Sequence, residues 1–312
     1  MGALFQPTSP KGWHPYTERW QTMLELKTIL CPVDFSEFSA RAYDYAHSLA
    51  RHYNSKLIVL HVVRFITIDP TFLSSTVIDT VYTQQATNAR AQLAKLVEKQ
   101  AGDVGQSELV VKMGFATDSI LSFAKERQVD LIVMGTHGRR GLDRFVTGST
   151  TESILRKSQS PVLAVHEPTR NFVSPKSAQE PVHLRKITCC VDFSEHSPRA
   201  LEYAFSLGMQ YQAEVTLLHV LEDGKETPDQ KARASESLEQ LVPEDARNWA
   251  SITPIVLSGQ AYEEIIAYAS EAETDLIVMG VRGRNAVDLA VFGSTTHRVI
   301  QLGPCPVLVV RA

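Results

Sequence analysis

The chain has 312 residues, 44% of them hydrophobic and 21% charged, with a net charge of −4 and no long run of one sign. That length suits two ordinary domains, and the composition suits a globular protein rather than a disordered one. The charge balance gives no support for nucleic-acid binding.

Residues 1–24 have no counterpart elsewhere in the chain and read as an N-terminal extension, with Trp13 and Trp20 expected to pack on the protein's own surface. The extension lacks the apolar core of a signal peptide, and no apolar stretch reaches the ~20 residues of a membrane span. A cytoplasmic protein with no membrane contact is therefore expected.

A first domain is expected over 25–167. Its strand-length apolar runs fall at 27–33, 56–63, 108–113, 130–134 and 161–165. Helix-like stretches lie between them at 40–53, 80–100, 117–127 and 149–158. A linker rich in Pro, Ser and Gln is expected over 168–184. The second domain, 185–312, repeats the pattern with strands at 186–191, 214–221, 252–257, 275–279 and 306–310. Its helices are expected near 198–211, 229–241, 261–272 and 294–302, the first with Ser197 as N-cap ahead of Pro198.

The repetition is explicit in the residues. KTILCPVDFSEFSARAYDYAHSLA at 27–50 returns as RKITCCVDFSEHSPRALEYAFSLG at 185–208, with an offset of 158. DLIVMG at 130–135 returns at 275–280 with an offset of 145, as do Gly114 at Gly259 and Pro161 at Pro306. Runs such as LIVL and LIVM are apolar throughout, which suits strands buried on both faces of a parallel sheet. Strand–helix alternation then gives a doubly wound α/β fold, twice in tandem.

In such a sheet, ligands bind beyond the carboxyl ends of the strands where the strand order reverses. Asp34 and Asp192 end the first strand of each half, and Gly135 and Gly280 end the fourth. After the fourth strand both halves read G-x2-G-x9-G-S: Gly135, Gly138, Gly148, Ser149 and Gly280, Gly283, Gly293, Ser294. The last Gly-Ser pair opens a helix through Thr150 or Thr295, whose free N–H groups suit a phosphate. Glycines let backbone approach an anion closely, and Arg139 or Arg284 adds charge at the rim. Plainer roles are expected elsewhere: turn or capping work is the alternative for the two aspartates. His61 and His219 read as packed, hydrogen-bonded core residues, and Cys31, Cys189, Cys190 and Cys305 as buried free thiols.

DFSEFS and DFSEHS, the LHV closing strand 2, the two glycine segments, and the closing SPVLAV and CPVLVV together resemble the universal stress protein family over about 270 residues. The resemblance implies five-stranded parallel sheets in the order 3-2-1-4-5. It implies that Asp34 and Val62 hold adenine and ribose in the first half, with Asp192 and Val220 in the second. Pro32, Val33 and Met134, and Val191 and Met279, would line the same crevices. The glycines with Ser149 and Ser294 would cradle the phosphates of ATP, and Mg²⁺ would bridge those phosphates rather than sit in a protein cage. An ATP-binding regulator of the stress response, with at most slow hydrolysis, is the leading expectation. The alternatives are a nucleotide-free interaction protein or a related ATP-using enzyme, though no HIGH-type or SGGxDS-type segment is present.

The family commonly pairs the last strands of two domains. Segments 161–166 and 305–311 are expected to pair within the chain, and chains to associate further. The glycine loops differ, since Arg140 and Arg144 of the first become Asn285 and Leu289 while Arg282 replaces His137. A tighter first site follows, by about 1 kcal/mol or roughly fivefold.

Overall fold

The computed structural model describes residues 24–65, 75–101, 107–136, 148–166, 170–173, 182–194, 197–222, 227–244, 246, 251–281 and 293–311. The first half runs β1 (Thr28–Pro32), α1 (Glu37–Tyr53), β2 (Lys56–Val63), α2 (Ser75–Ala101), β3 (Ser107–Met113), α3 (Ala116–Glu126), β4 (Leu131–Gly135), α4 (Ser149–Lys157) and β5 (Val162–Val165). The second runs β6 (Lys186–Cys190), α5 (Ser197–Tyr211), β7 (Glu214–Leu221), α6 (Pro228–Glu239), β8 (Ile252–Ser258), α7 (Ala261–Glu271), β9 (Leu276–Gly280), α8 (Ser294–Leu302) and β10 (Val307–Val310).

The local chemistry explains where these elements start and stop. Ser36 caps α1, its hydroxyl accepting the Ser39 N–H at 3.2 Å, so the helix begins at Glu37 rather than at 40. Asn54 ends it in the left-handed region at φ 52°, where Asn is tolerated. Thr227 and Gln230 form a reciprocal capping box at the start of α6, with Pro228 in the first turn. The second-half edge strand β8 contains Pro254, which lacks an N–H and is accommodated at an edge.

All the strands form one ten-stranded sheet in the order β3-β2-β1-β4-β5-β10-β9-β6-β7-β8. Each half therefore has the expected 3-2-1-4-5 order, parallel throughout. The halves join where β5 and β10 pair antiparallel, Leu163 opposite Leu308, the pairing that the family resemblance implies. Pairing the two edges removes a row of unsatisfied backbone groups from each.

Helices α1, α2, α5 and α6 pack on one face of the sheet in a single cluster that runs across both halves. Helices α3, α4, α7 and α8 cover the other face. At the seam, His52 stacks on Tyr211 with ring centroids 4.6 Å apart. The Tyr53 hydroxyl donates to Gln210 Oε1 at 2.7 Å, and the Leu24 N–H to Ser206 Oγ at 2.7 Å. The stretch between the halves is more than a spacer. Phe172 and Val173 are buried in the shared core, Asn171 accepts from the Tyr45 hydroxyl, and Arg170 pairs with Glu273 at 2.9 Å. Cys31, Cys189 and Cys305 are buried free thiols, and Cys190 is half-buried.

Candidate functional site: two crevices at the strand reversals

The sheet opens where its order reverses. Strand β1 pairs with β2 along its whole length, from Thr28 with Lys56 to Pro32 with Leu60. With β4 it pairs only at Ile29 with Leu131 and Leu30 with Ile132. Beyond that the two strands diverge toward their carboxyl ends. In the second half, β6 and β9 stay paired only as far as Cys189 with Val278. Each divergence leaves a crevice between a β1-type and a β4-type strand, the usual ligand position in this architecture.

The turn leaving the first strand is built the same way twice. The Val33 N–H donates to Leu60 O at 2.8 Å, and His61 Nδ1 lies 2.7 Å from Val33 O. Val191 repeats both contacts, with Leu218 O at 2.9 Å and His219 Nδ1 at 2.7 Å. The next residue but one, Phe35 or Phe193, sits in the left-handed region at φ 63° or 58°. A bulky L-residue there costs about 1–2 kcal/mol, which the surroundings must offset. Ring contact does so in part: Phe35 lies 4.4 Å from the His61 ring and Phe193 4.7 Å from His219. The two histidines thus take the packed, hydrogen-bonded role expected of them.

The two aspartates lie between these fixed points. Asp34 Oδ1 accepts the Ser36 N–H at 3.0 Å and the Ser36 hydroxyl at 2.6 Å. Asp192 Oδ1 accepts the Ser194 N–H at 3.0 Å and the Ser197 hydroxyl at 2.7 Å. One oxygen of each carboxylate is therefore committed to the turn, which orients the group at the crevice. Ser197 is not the N-cap expected of it. It lies inside α5, with its N–H donating to Ser194 O at 3.1 Å, because Asp192 draws its hydroxyl back to the strand end. Cys190 stands beside this turn. Burial first, and then the Asp192 charge, push its thiol up to about 12, which disfavours the thiolate.

The far wall is the start of α4 or α8. Gly148 and Gly293 are the N-caps, and neither offers a side chain to the first turn. The leading N–H groups of a helix have no acceptor within it and carry the positive end of the dipole. Ser149 and Ser294 are exposed here, Thr150 and Thr295 half-buried. Thr151 and Thr296 turn inward instead, their hydroxyls donating to Gly135 O at 2.8 Å and Gly280 O at 3.2 Å. The Gly148 N–H closes the base of its loop on Thr136 O at 2.7 Å, whereas the Gly293 N–H reaches Val281 O at 3.4 Å. The first clasp is the tighter one.

Other expected site residues fall in varied places. Pro32, Val33, Met134, Val191 and Met279 are buried in the sheet's two cores, and Val62 and Val220 are half-buried at their strand ends. Gly138, Arg139, Gly283 and Arg284 lie outside the described residues, as do Arg140, Arg144, Arg282, Asn285 and Leu289. So do Trp13 and Trp20. Packing alone holds position 135 to glycine: a Cβ there would stand 2.8 Å from the Phe38 backbone of α1. Phe35 and Phe193 escaped the sequence reading, although the repeated Asp-Phe-Ser-Glu was their signal. Asp130 and Asp275 escaped it too, with the repeated Asp-Leu-Ile-Val-Met-Gly as their signal; their Oδ2 atoms each accept two backbone N–H groups at the opposite end of β1 and β6. Among the described residues no cluster of His, Cys, Asp and Glu could hold a metal ion, and no helix is long and apolar enough to cross a membrane.

These features define a tandem doubly wound α/β protein with one switch-point crevice in each half. The family model described as the universal stress protein family matches residues 25–166 and again 183–311, and the chain belongs to that family. It is 27% identical over 309 residues to a universal stress protein of Synechocystis sp., covering 92% of this chain and 100% of the relative. It is 25% identical over 295 residues to one of Mycolicibacterium smegmatis, covering 91% and 96%. Among solved structures, a universal stress protein from Archaeoglobus fulgidus superposes with a TM-score of 0.67 over 92% of this chain and 99% of the other. At 23% identity that likeness speaks for the fold.

Proposed function

We propose that the chain is a cytoplasmic, ATP-binding regulator of the stress response, with a site in each half and at most slow hydrolysis. The observation that carries this reading is the pairing, in both crevices, of an oriented aspartate with a helix start whose glycine cap leaves its amides to a ligand. That arrangement fits a nucleotide. Asp34 or Asp192 would take the ribose hydroxyls, and Val62 or Val220 would flank the base. Gly148, Ser149 and Thr150, or Gly293, Ser294 and Thr295, would receive the phosphates, with Arg139 and Arg284 at the rim. Mg²⁺ would ride on the phosphate oxygens, since hard cations of this size keep few protein ligands in such sites. Bound ATP supplies occupancy that tracks the cell's nucleotide level. Association of further chains would bring more than two sites together.

The test is mass spectrometry of small molecules released from the purified, denatured protein, followed by calorimetry. ATP is expected among the released molecules and is expected to bind in preference to GTP. The double variant Gly148→Val, Gly293→Val is expected to lose binding. Undiminished affinity in that variant would overturn the site.

A further inference from the structure

Two of the most exposed large apolar side chains among the described residues stand at the carboxyl end of the first half. Phe115 is 61% exposed and Phe65 47%. The sheet brings them together. Val62 and Val63 of β2 lie beside Lys112 and Met113 of β3, and the Gly114 N–H donates to Val63 O at 2.9 Å. Both strands then leave the sheet in step, and the Phe65 ring comes within 4.0 Å of where a Cβ on Gly114 would stand. Tyr82 of α2 holds that ring edge-on, with centroids 5.9 Å apart and planes at 82°.

Phe115 occupies the N-cap of α3 and makes no capping hydrogen bond. Ser, Thr, Asp or Asn at that place would steady the helix by about 1 kcal/mol, so an exposed Phe contributes nothing to either capping or the core. The second half supplies the contrast. Gln260 is the N-cap of α7, and Asp223 takes the place of Phe65 at the offset of 158. The aromatic pair has no counterpart at the matching positions of the second half's sequence.

Resting on the nucleotide reading of that crevice, the geometry points to Phe115 and Phe65 as an aromatic wall for the purine base in the first half. The wall lies just past Val62, on the β2 side of the crevice. The base is the part of a nucleotide with apolar faces, and aromatic side chains stack on such faces with little regard to sequence edges. The first site would therefore grip its base by stacking. The second would hold its ligand through sugar and phosphates, with no stacked partner.

The experiment uses full-length protein and the fluorescent analogue 1,N6-ethenoadenosine triphosphate as probe. In a Gly293→Val background, where only the first site remains, binding is expected to quench the base. Adding Phe115→Ala is expected to weaken binding about tenfold and remove most of the quenching, the loss expected of one stacked base. Phe115→Trp is expected to restore both. In a Gly148→Val background, the second site is expected to bind without quenching, and Gln260→Phe to introduce it. An unchanged melting temperature for Phe115→Ala shows that the exposed side chain carries no fold. If the Gly293→Val parent binds and Phe115→Ala changes neither affinity nor quenching, the aromatic wall is overturned while the crevice stands. A change in oligomer mass without a change in probe binding assigns the patch to contact between copies and overturns the wall equally. If neither parent binds the probe, the nucleotide reading itself falls.

Discussion

The two halves agree most closely where the backbone is constrained and least where side chains face outward. At the end of the first strand, each has a left-handed Phe, a histidine 2.7 Å from a valine carbonyl, and an aspartate holding a serine turn. Away from that point they part. Glu108 is shared by Arg127 at 2.7 Å and Lys56 at 2.6 Å, while its counterpart at the offset of 145 is Thr253. The first turn of α4 carries Glu152, and that of α8 carries His297. A crevice of this kind depends on a few fixed dihedrals and tolerates change around its rim. The same framework thus carries two crevices with unlike rims. In the nucleotide reading proposed above, Glu152 would oppose a phosphate at the first helix start and the tighter Gly148 clasp, 2.7 Å against 3.4 Å, would favour it.

The largest effect is expected from breaking the seam that forces the halves together. Leu308 is 4% exposed and faces Leu163 across the antiparallel pair. Leu308→Arg buries an unpaired charge and is expected to cost several kcal/mol. Calorimetry is expected to record one transition for the wild type and two for the variant, one for each half. A single, merely lowered transition would mean that the halves do not depend on the pair for their coupling.

A smaller effect sharpens the likeness between halves. His61→Ala and His219→Ala each remove a half-buried hydrogen bond to a valine carbonyl and a ring contact supporting a strained Phe. Each is expected to cost about 1–3 kcal/mol in denaturant unfolding. Because the geometry is the same in both, unequal losses would show that one turn is supported by something the other lacks.

The smallest effect separates the halves by pH. Burial pushes Asp44 of α1 up to about 7, against the opposing pull of Arg41 and Lys99. Its counterpart Glu202 instead pairs with Arg199 at 3.1 Å. Between the ordinary aspartate value near 3.8 and about 7, the folded chain keeps a proton that the unfolded chain has released. Stability from this group is thus complete below that window and falls as pH rises through it. Asp44→Asn is expected to flatten the melting temperature between pH 5 and pH 8 and to raise it at the upper end.

The repeat made most of this architecture legible. Apolar runs placed every strand within a residue or two, and the strand order came with the family resemblance. Helix starts were harder. The opening Ser-Thr-Val-Ile-Asp-Thr-Val of α2 is rich in β-branched residues with weak helix propensity, so its first turn was not visible in the sequence. The segment joining the halves reads as linker because Pro, Ser and Gln outnumber Phe172, Val173, Val182 and Leu184, its four apolar residues that are buried among those described. The packing demand on Gly135 is not legible, since a sequence cannot reveal that Phe38 lies over it. The left-handed Phe residues stayed hidden because their compensation is a ring contact between strands that are far apart in the chain.

Fusion of the halves changes what their pairing means. Two separate domains with apolar last strands would meet at a rate and extent set by their concentration, and like would pair with like as readily as with unlike. A covalent joint makes the encounter intramolecular, at an effective concentration that short connections raise to millimolar or more. The β5–β10 pair therefore fixes a stoichiometry. A sheet closed within one chain contains one crevice of each kind, and dilution does not change that ratio.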